Sequence, residues 1–184
     1  RTNDPVSGLS VYVKTTGGVI VASKGGVSGS ATFSLADGDY IIESVKNAFS
    51  RTDSVTVSSL NYFDVPCGKL TCKYYTNNDG TGDPVTGVSV YVTKTGGGNV
   101  DSRAGVDGFT SFALLATTGT GFTYDVKSVK GAFSRTETEI TVTSDNILNV
   151  PCGKLIVTYY ANNKPEWGMT GVSVYVTKTG GGNV

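Results

Sequence analysis

Histidine is absent from all 184 residues. The one side chain that ordinarily titrates near neutral pH, and the commonest nitrogen ligand for metals, is therefore missing. That excludes Ser-His-Asp and Cys-His nucleophile sites and His-based zinc sites. Charge of one sign is absent too, because 15 Lys and Arg balance 15 Asp and Glu. With no net field to attract DNA, RNA or an anionic membrane, nucleic-acid binding is not expected. No stretch approaches the roughly 20 apolar residues that cross a bilayer as a helix. Nothing at the amino end has the form of a signal peptide, and the chain opens on Arg1, which points to a processed protein or a window on a longer one. There is no Asn-x-Ser/Thr sequon for an N-linked glycan. Met and Trp occur once each, and no run of Ala, Leu, Glu and Lys would sustain helices. The acidic residues fall in turns and on polar faces, where solvated charge is a better reading than a catalytic carboxylate pair. No catalytic residue is expected, and the chain is read as no enzyme.

What is present is glycine, 25 residues of it, with abundant Thr, Ser and Val. This is the composition of short strands joined by many turns. Self-similarity then fixes the organisation. Gly8-Leu9-Ser10-Val11-Tyr12-Val13 returns as Gly87-Val88-Ser89-Val90-Tyr91-Val92 and again as Gly171-Val172-Ser173-Val174-Tyr175-Val176, the first interval being slightly the shorter. Ala48-Phe49-Ser50-Arg51-Thr52 recurs as Ala132-Phe133-Ser134-Arg135-Thr136. Val65-Pro66-Cys67-Gly68-Lys69-Leu70 recurs as Val150-Pro151-Cys152-Gly153-Lys154-Leu155. Both of these later pairs keep the longer interval, which places an insertion around Leu115 to Gly121, opposite the short turn Ala36-Asp37-Gly38-Asp39. Insertions confined to turns are what loops on a rigid scaffold tolerate.

Within the unit, alternation reads as half-buried strands. Val88, Val90 and Val92 share one face, with Ser89, Tyr91 and Thr93 on the other. Leu70, Cys72 and Tyr74 share a face, as do their counterparts Leu155, Val157 and Tyr159. Further strands are expected at Ala31 to Leu35, Tyr40 to Val45 and Asp53 to Val57, with equivalents near Thr110 to Leu114, Thr123 to Val129 and Thr138 to Val142. About seven short strands per unit predict an all-β fold of tandem immunoglobulin-like Greek-key β-sandwiches on an ~84-residue repeat. The divisions are a first repeat over 1–66, without a counterpart of the Lys69 to Tyr75 strand, a complete second over 67–151, and the first two strands of a third over 152–184. About three residues, including Pro66 or Pro151, connect successive units, so the string is semi-rigid.

The Pro84-Val85-Thr86-Gly87 turn before a Gly-x-x-Val-x-Val strand resembles the carboxypeptidase regulatory-like, or prealbumin-like, sandwich family. So do the Gly-x-x-x-Phe strands at Gly29 to Phe33 and Gly108 to Phe112, the Leu35 to Tyr40 segment and the Gly131 to Phe133 turn. The resemblance implies non-catalytic stalk or accessory domains of secreted and surface proteins. The related collagen-adhesin B-type domains imply a Lys to Asn crosslink, which would fall on Lys73 and Asn149. Lys73 becomes Thr158 in the next copy, and Glu43 aligns with Lys127.

Four sets of residues are candidates for more than packing. Asn77, Asp79, Thr81 and Asp83 place oxygens at alternate positions around Gly80, as a calcium loop does, with a plain interstrand turn as the competing reading. The third copy, Asn162-Asn163-Lys164-Pro165-Glu166, does not keep the pattern. Calcium is the one cofactor considered; otherwise none is expected. Cys72 aligns with Val157 and reads as a small buried hydrophobe. Cys67 and Cys152 are equivalent, lie at the unit junctions, and are candidates for crosslinking to a neighbouring chain. Tyr12, Tyr91 and Tyr175 point outward, Tyr75 and Tyr160 share a similar face, and the lone Trp167 precedes Gly171. Such aromatics serve as sugar platforms, subunit contacts or simple cross-strand partners.

The expectation is a structural repeat protein of an extracellular fibre, filament or adhesin stalk at the cell surface. Its partners would be neighbouring copies of itself, assembled in one version head to tail by strand donation. The alternative is a carbohydrate- or protein-binding accessory module of a secreted surface protein or enzyme.

Overall fold

A computed structural model describes residues 5–77, 80–159, 170–177 and 179. Its regular structure is strand throughout. In chain order the strands are β1 (Leu9–Thr15), β2 (Ile20–Val27), β3 (Gly38–Lys46), β4 (Phe49–Val57), β5 (Cys67–Tyr75), β6 (Val88–Lys94), β7 (Asn99–Val106), β8 (Phe109–Leu115), β9 (Tyr124–Lys130), β10 (Phe133–Ile140) and β11 (Asp145–Pro151).

Three sheets result. The first has the order β2-β1-β3-β4, the second β10-β9-β6-β7, and the third β11-β5-β8. The first two are built alike, strand for strand. Both carry register shifts at matching places, between Leu9 and Val11 in one and between Val88 and Val90 in the other. At each, a glycine in the left-handed region, Gly26 or Gly105, supplies the bulge that a side chain would strain.

The second and third sheets face each other. Period-2 alternation decides which side chains lie between them: Val88, Val90 and Val92 from β6, Leu70, Cys72 and Tyr74 from β5, Phe112 and Leu114 from β8, and Tyr124 and Val126 from β9 are all buried. The Tyr74 hydroxyl meets Ser128 Oγ across this core at 2.9 Å, so the phenol is buried without losing its hydrogen bond. β11 and β5 run parallel, whereas the other ladders are antiparallel.

The expected strand at Ala31 to Leu35 does not form, and the segment 58–66, equivalent to β11, is likewise irregular. The third sheet explains both. Its middle strand is β5, and both β8 and β11 pair with it alone. Among the described residues nothing occupies that middle position beside the first sheet. The two flanking segments therefore have no ladder to join, and Ala31, Phe33 and Val65 pack on the apolar cluster as loops instead. The expected strand at 154–159 is also irregular, with Leu155, Ile156 and Val157 exposed. β10 begins at Phe133 and ends at Ile140, earlier than the Thr138 to Val142 expected, and β2, β7 and β11 were not anticipated.

Candidate functional site

The densest polar and aromatic arrangement lies where the first sheet meets the other two. β3 and β4 form a hairpin whose turn is Asn47-Ala48, with Lys46 opposite Phe49. Asn47 takes a left-handed conformation (φ 50°), which asparagine tolerates better than most residues. The turn thereby projects four side chains into the second half of the chain. Phe49 is fully buried, stacked on Tyr124 with centroids 4.7 Å apart and edge-on to Phe122 at 6.3 Å. Lys46 Nζ donates to Asp101 Oδ2 and to the Ala113 carbonyl, both at 2.9 Å. Asn47 Nδ2 donates to the Val100 carbonyl at 2.6 Å. Arg51 is held by Asp53 through Nε and Nη2, and its Nη1 donates to the carbonyls of Ala116 at 3.1 Å and Thr118 at 2.6 Å.

Both cations are buried, so each needs these acceptors to offset its lost hydration. Those across the junction are fixed backbone carbonyls and the Asp101 carboxylate, which set the position of the first sheet against the other two rather than tethering it loosely. Desolvation works against the Asp101 carboxylate, but the hydrogen bond and charge of Lys46, the Ser102 amide and Arg103 together hold it below the usual range. The connection, expected to be about three residues, is the nine-residue irregular segment 58–66, tied at its end by the Ala116 amide donating to the Pro66 carbonyl at 2.9 Å. Gly68 sits so close to the 142–144 loop that a Cβ there would come within 2.6 Å of the Ser144 carbonyl oxygen.

The cysteines do not pair among themselves. Cys67 starts β5 and Cys152 follows the end of β11, and since these strands are parallel the two lie at opposite ends of the unit. Eight residues of strand separate the levels, about 26 Å, whereas a disulfide needs its Cα atoms within about 7 Å. Desolvation pushes the Cys67 thiol up, Arg51 pulls against it, Asp53 adds to the rise and Lys46 opposes it. Cys152 is raised by desolvation against Arg135 and Lys130. Cys72 is buried, as expected of a small hydrophobe, and burial takes its thiol up to about 12.

Of the four residues read as a calcium site, Asn77, Thr81 and Asp83 lie among those described. Asp83 pairs with Lys154 Nζ at 2.5 Å, a contact that holds its carboxyl below the usual range. Asn77 turns its amide nitrogen to the Thr81 hydroxyl. Asp79 lies outside the described residues, and among those described no cluster of three metal-ligating side chains occurs. Lys73 and Asn149 are direct partners across β5 and β11, but at outward positions, with Asn149 exposed. Tyr12 is half-buried, while Tyr91 and Tyr175 are exposed. Trp167 and Tyr160 lie outside the described residues.

The junction residues Lys46, Asn47, Phe49 and Arg51 are those that sequence reasoning passed over. Their signal was present as the recurrent Phe-Ser-Arg-Thr motif, read only as a repeat marker.

No protein-family model matches this chain, and no curated protein does. Among solved structures it is similar to the TIE protein of Bacillus anthracis, with a TM-score of 0.35 and 13% identity, over 84% of this chain and 32% of that one. The chain thus spans about a third of that protein's length.

Proposed function

We propose that the chain is a non-enzymatic structural element, a run of immunoglobulin-like, prealbumin-like repeat units in an extracellular fibre, filament or adhesin stalk. The observation that carries this reading is the junction. A hairpin turn of one unit is clamped into the next by two buried cations and an aromatic stack, and the joining segment 58–66 is tied down at Pro66. Clamps of this kind make length and direction of the string a property of the fold, which is what a stalk requires and a solitary binding domain does not.

The exposed Leu155, Ile156 and Val157 support assembly by strand exchange. They lie in a segment equivalent to β5, the middle strand that the first sheet lacks on its facing side. A strand supplied by a preceding unit in an array, or by a second copy of the chain, would let the segments 31–35 and 60–66 pair.

Small-angle scattering with electron microscopy tests the structural reading. Rigid rods are expected, with Arg51→Glu combined with Lys46→Glu converting them to bent particles of variable angle. A wild-type chain already flexing freely at residues 60–67 would sink it.

A further inference from the structure

We propose that the far end of the second unit is a preformed seat for the near end of a following copy of the same unit. This rests on the stalk reading and adds the surface and partner through which a string would continue. Lys130, Phe133, Arg135 and Glu137 are the repeat counterparts of Lys46, Phe49, Arg51 and Asp53. The local geometry recurs with the residues. Lys130 faces Phe133 across a two-residue turn, as Lys46 faces Phe49, and Gly131 takes the left-handed conformation of Asn47 (φ 56° against 50°). Arg135 pairs with Glu137 as Arg51 does with Asp53. The thiol of the linker cysteine lies in the field of the same two cations at both places, Arg51 and Lys46 for Cys67, Arg135 and Lys130 for Cys152.

Occupancy differs. Phe49 is 0% exposed under Tyr124 and Phe122, whereas Phe133 is 46% exposed. Phe133, Lys130, Arg135, Val150, Pro151 and Cys152 border an open, largely apolar groove of about 220 Å³. The first junction shows what fills such a place: an aromatic ring to stack on the phenylalanine, a carboxylate for the lysine, and two loop carbonyls for the arginine. The sequence shows the opening of a further copy directly after this end, because Thr170–Val184 repeats Thr86–Val100 residue for residue. Val184 is the counterpart of Val100, but the contact made there is not reproduced, since Gly131 has no side-chain amide to replace Asn47 Nδ2.

The test extends the chain past Val184 with a second copy of residues 101–151, which the identity of the two preceding segments allows without a foreign join. Hydrogen exchange is measured on the 130–137 hairpin with and without the extension. Protection at least tenfold higher in the extended chain, abolished by Phe133→Ala, is expected. Unchanged protection while the appended strands are themselves protected overturns the seat. If Phe49→Ala in that same chain still loosens the 46–53 hairpin, the stalk reading survives that failure. Protection that rises with the concentration of the unextended wild-type chain, whose near end is already filled by its own first hairpin, means that some other surface fills the groove and overturns the proposal as stated. Should the extension not fold, a chain carrying Lys46→Glu, Phe49→Ala and Arg51→Glu, whose second unit then presents a free near end, is titrated into isotope-labelled wild type. Shifts at Phe133 and Arg135 uphold the seat, and their absence at the highest soluble concentration refutes it.

Discussion

Phe49 and Phe133 occupy the same place in a repeated motif, so truncating each to alanine compares one chemistry in two surroundings. Phe49 has no solvent exposure and stacks on Tyr124 at 4.7 Å. Removing a fully buried phenylalanine ring costs about 3–5 kcal/mol, through lost transfer energy and the cavity left behind. The aromatic pairing contributes about 0.5–1.5 kcal/mol of that, which a double-mutant cycle with Tyr124→Leu isolates. Phe133 is already half in water, and its truncation should cost no more than about 1 kcal/mol. The assay is urea unfolding followed by circular dichroism. Because Phe49 joins the first sheet to the shared core, Phe49→Ala should also split one transition into two, the first sheet unfolding at lower denaturant. Equal costs for the two substitutions, or a single unbroken transition with Phe49→Ala, would refute the claim that this ring couples the halves.

Acid should act on the same junction. The folded-state pKa of Asp101 is depressed, so the stability it contributes is fully present above the unfolded value of about 3.9 and is lost as pH falls through the lower folded value. Asp101→Asn should flatten that part of the pH profile, as a series of thermal melts would show. Gly68→Ala should destabilise by about 1–3 kcal/mol because its Cβ would strike the 142–144 backbone. Gly153→Ala, with open space around it, should leave the melting temperature unmoved. Cys72, with its thiol raised to about 12, should resist alkylation at neutral pH until the protein unfolds, as peptide mapping before and after denaturation would reveal.

The strands that alternate cleanly were legible from sequence because one face of each is buried. β6 and β5 are the clearest, and their buried residues are the ones alternation selects. β2 and β7 were missed because they are edge strands, exposed along most of their length, so no apolar period marks them. Ala31 to Leu35 failed for the opposite reason. Its local pattern suits a strand, but a strand needs a partner ladder, and that ladder is non-local. The junction was hidden because Lys46 and Arg51 look like surface cations until their acceptors, 55 to 67 residues away, are brought to them. Recurrence of the arginine in both copies was a usable signal.

Force along the chain would enter the second unit at Cys67, the start of β5, and leave it after Pro151, the end of β11. These two strands are parallel neighbours, paired from Asp145 with Lys69 to Pro151 with Tyr75. Tension at those two ends therefore runs along the ladder and across its hydrogen bonds, loading all of them in shear together. Pulling instead from two points at one end would peel the same bonds in turn. Single-molecule stretching between Cys67 and Cys152, with Cys72→Ala to leave two thiols, should thus need a markedly higher force than stretching between Cys152 and a thiol placed by Asn77→Cys in a Cys67→Ala, Cys72→Ala background. Leu148→Pro, which puts a rigid ring into the middle of β11, should lower the first force far more than the second. Equal forces in the two geometries would mean that the parallel pair carries no load, and the mechanical part of the stalk reading would fall with it.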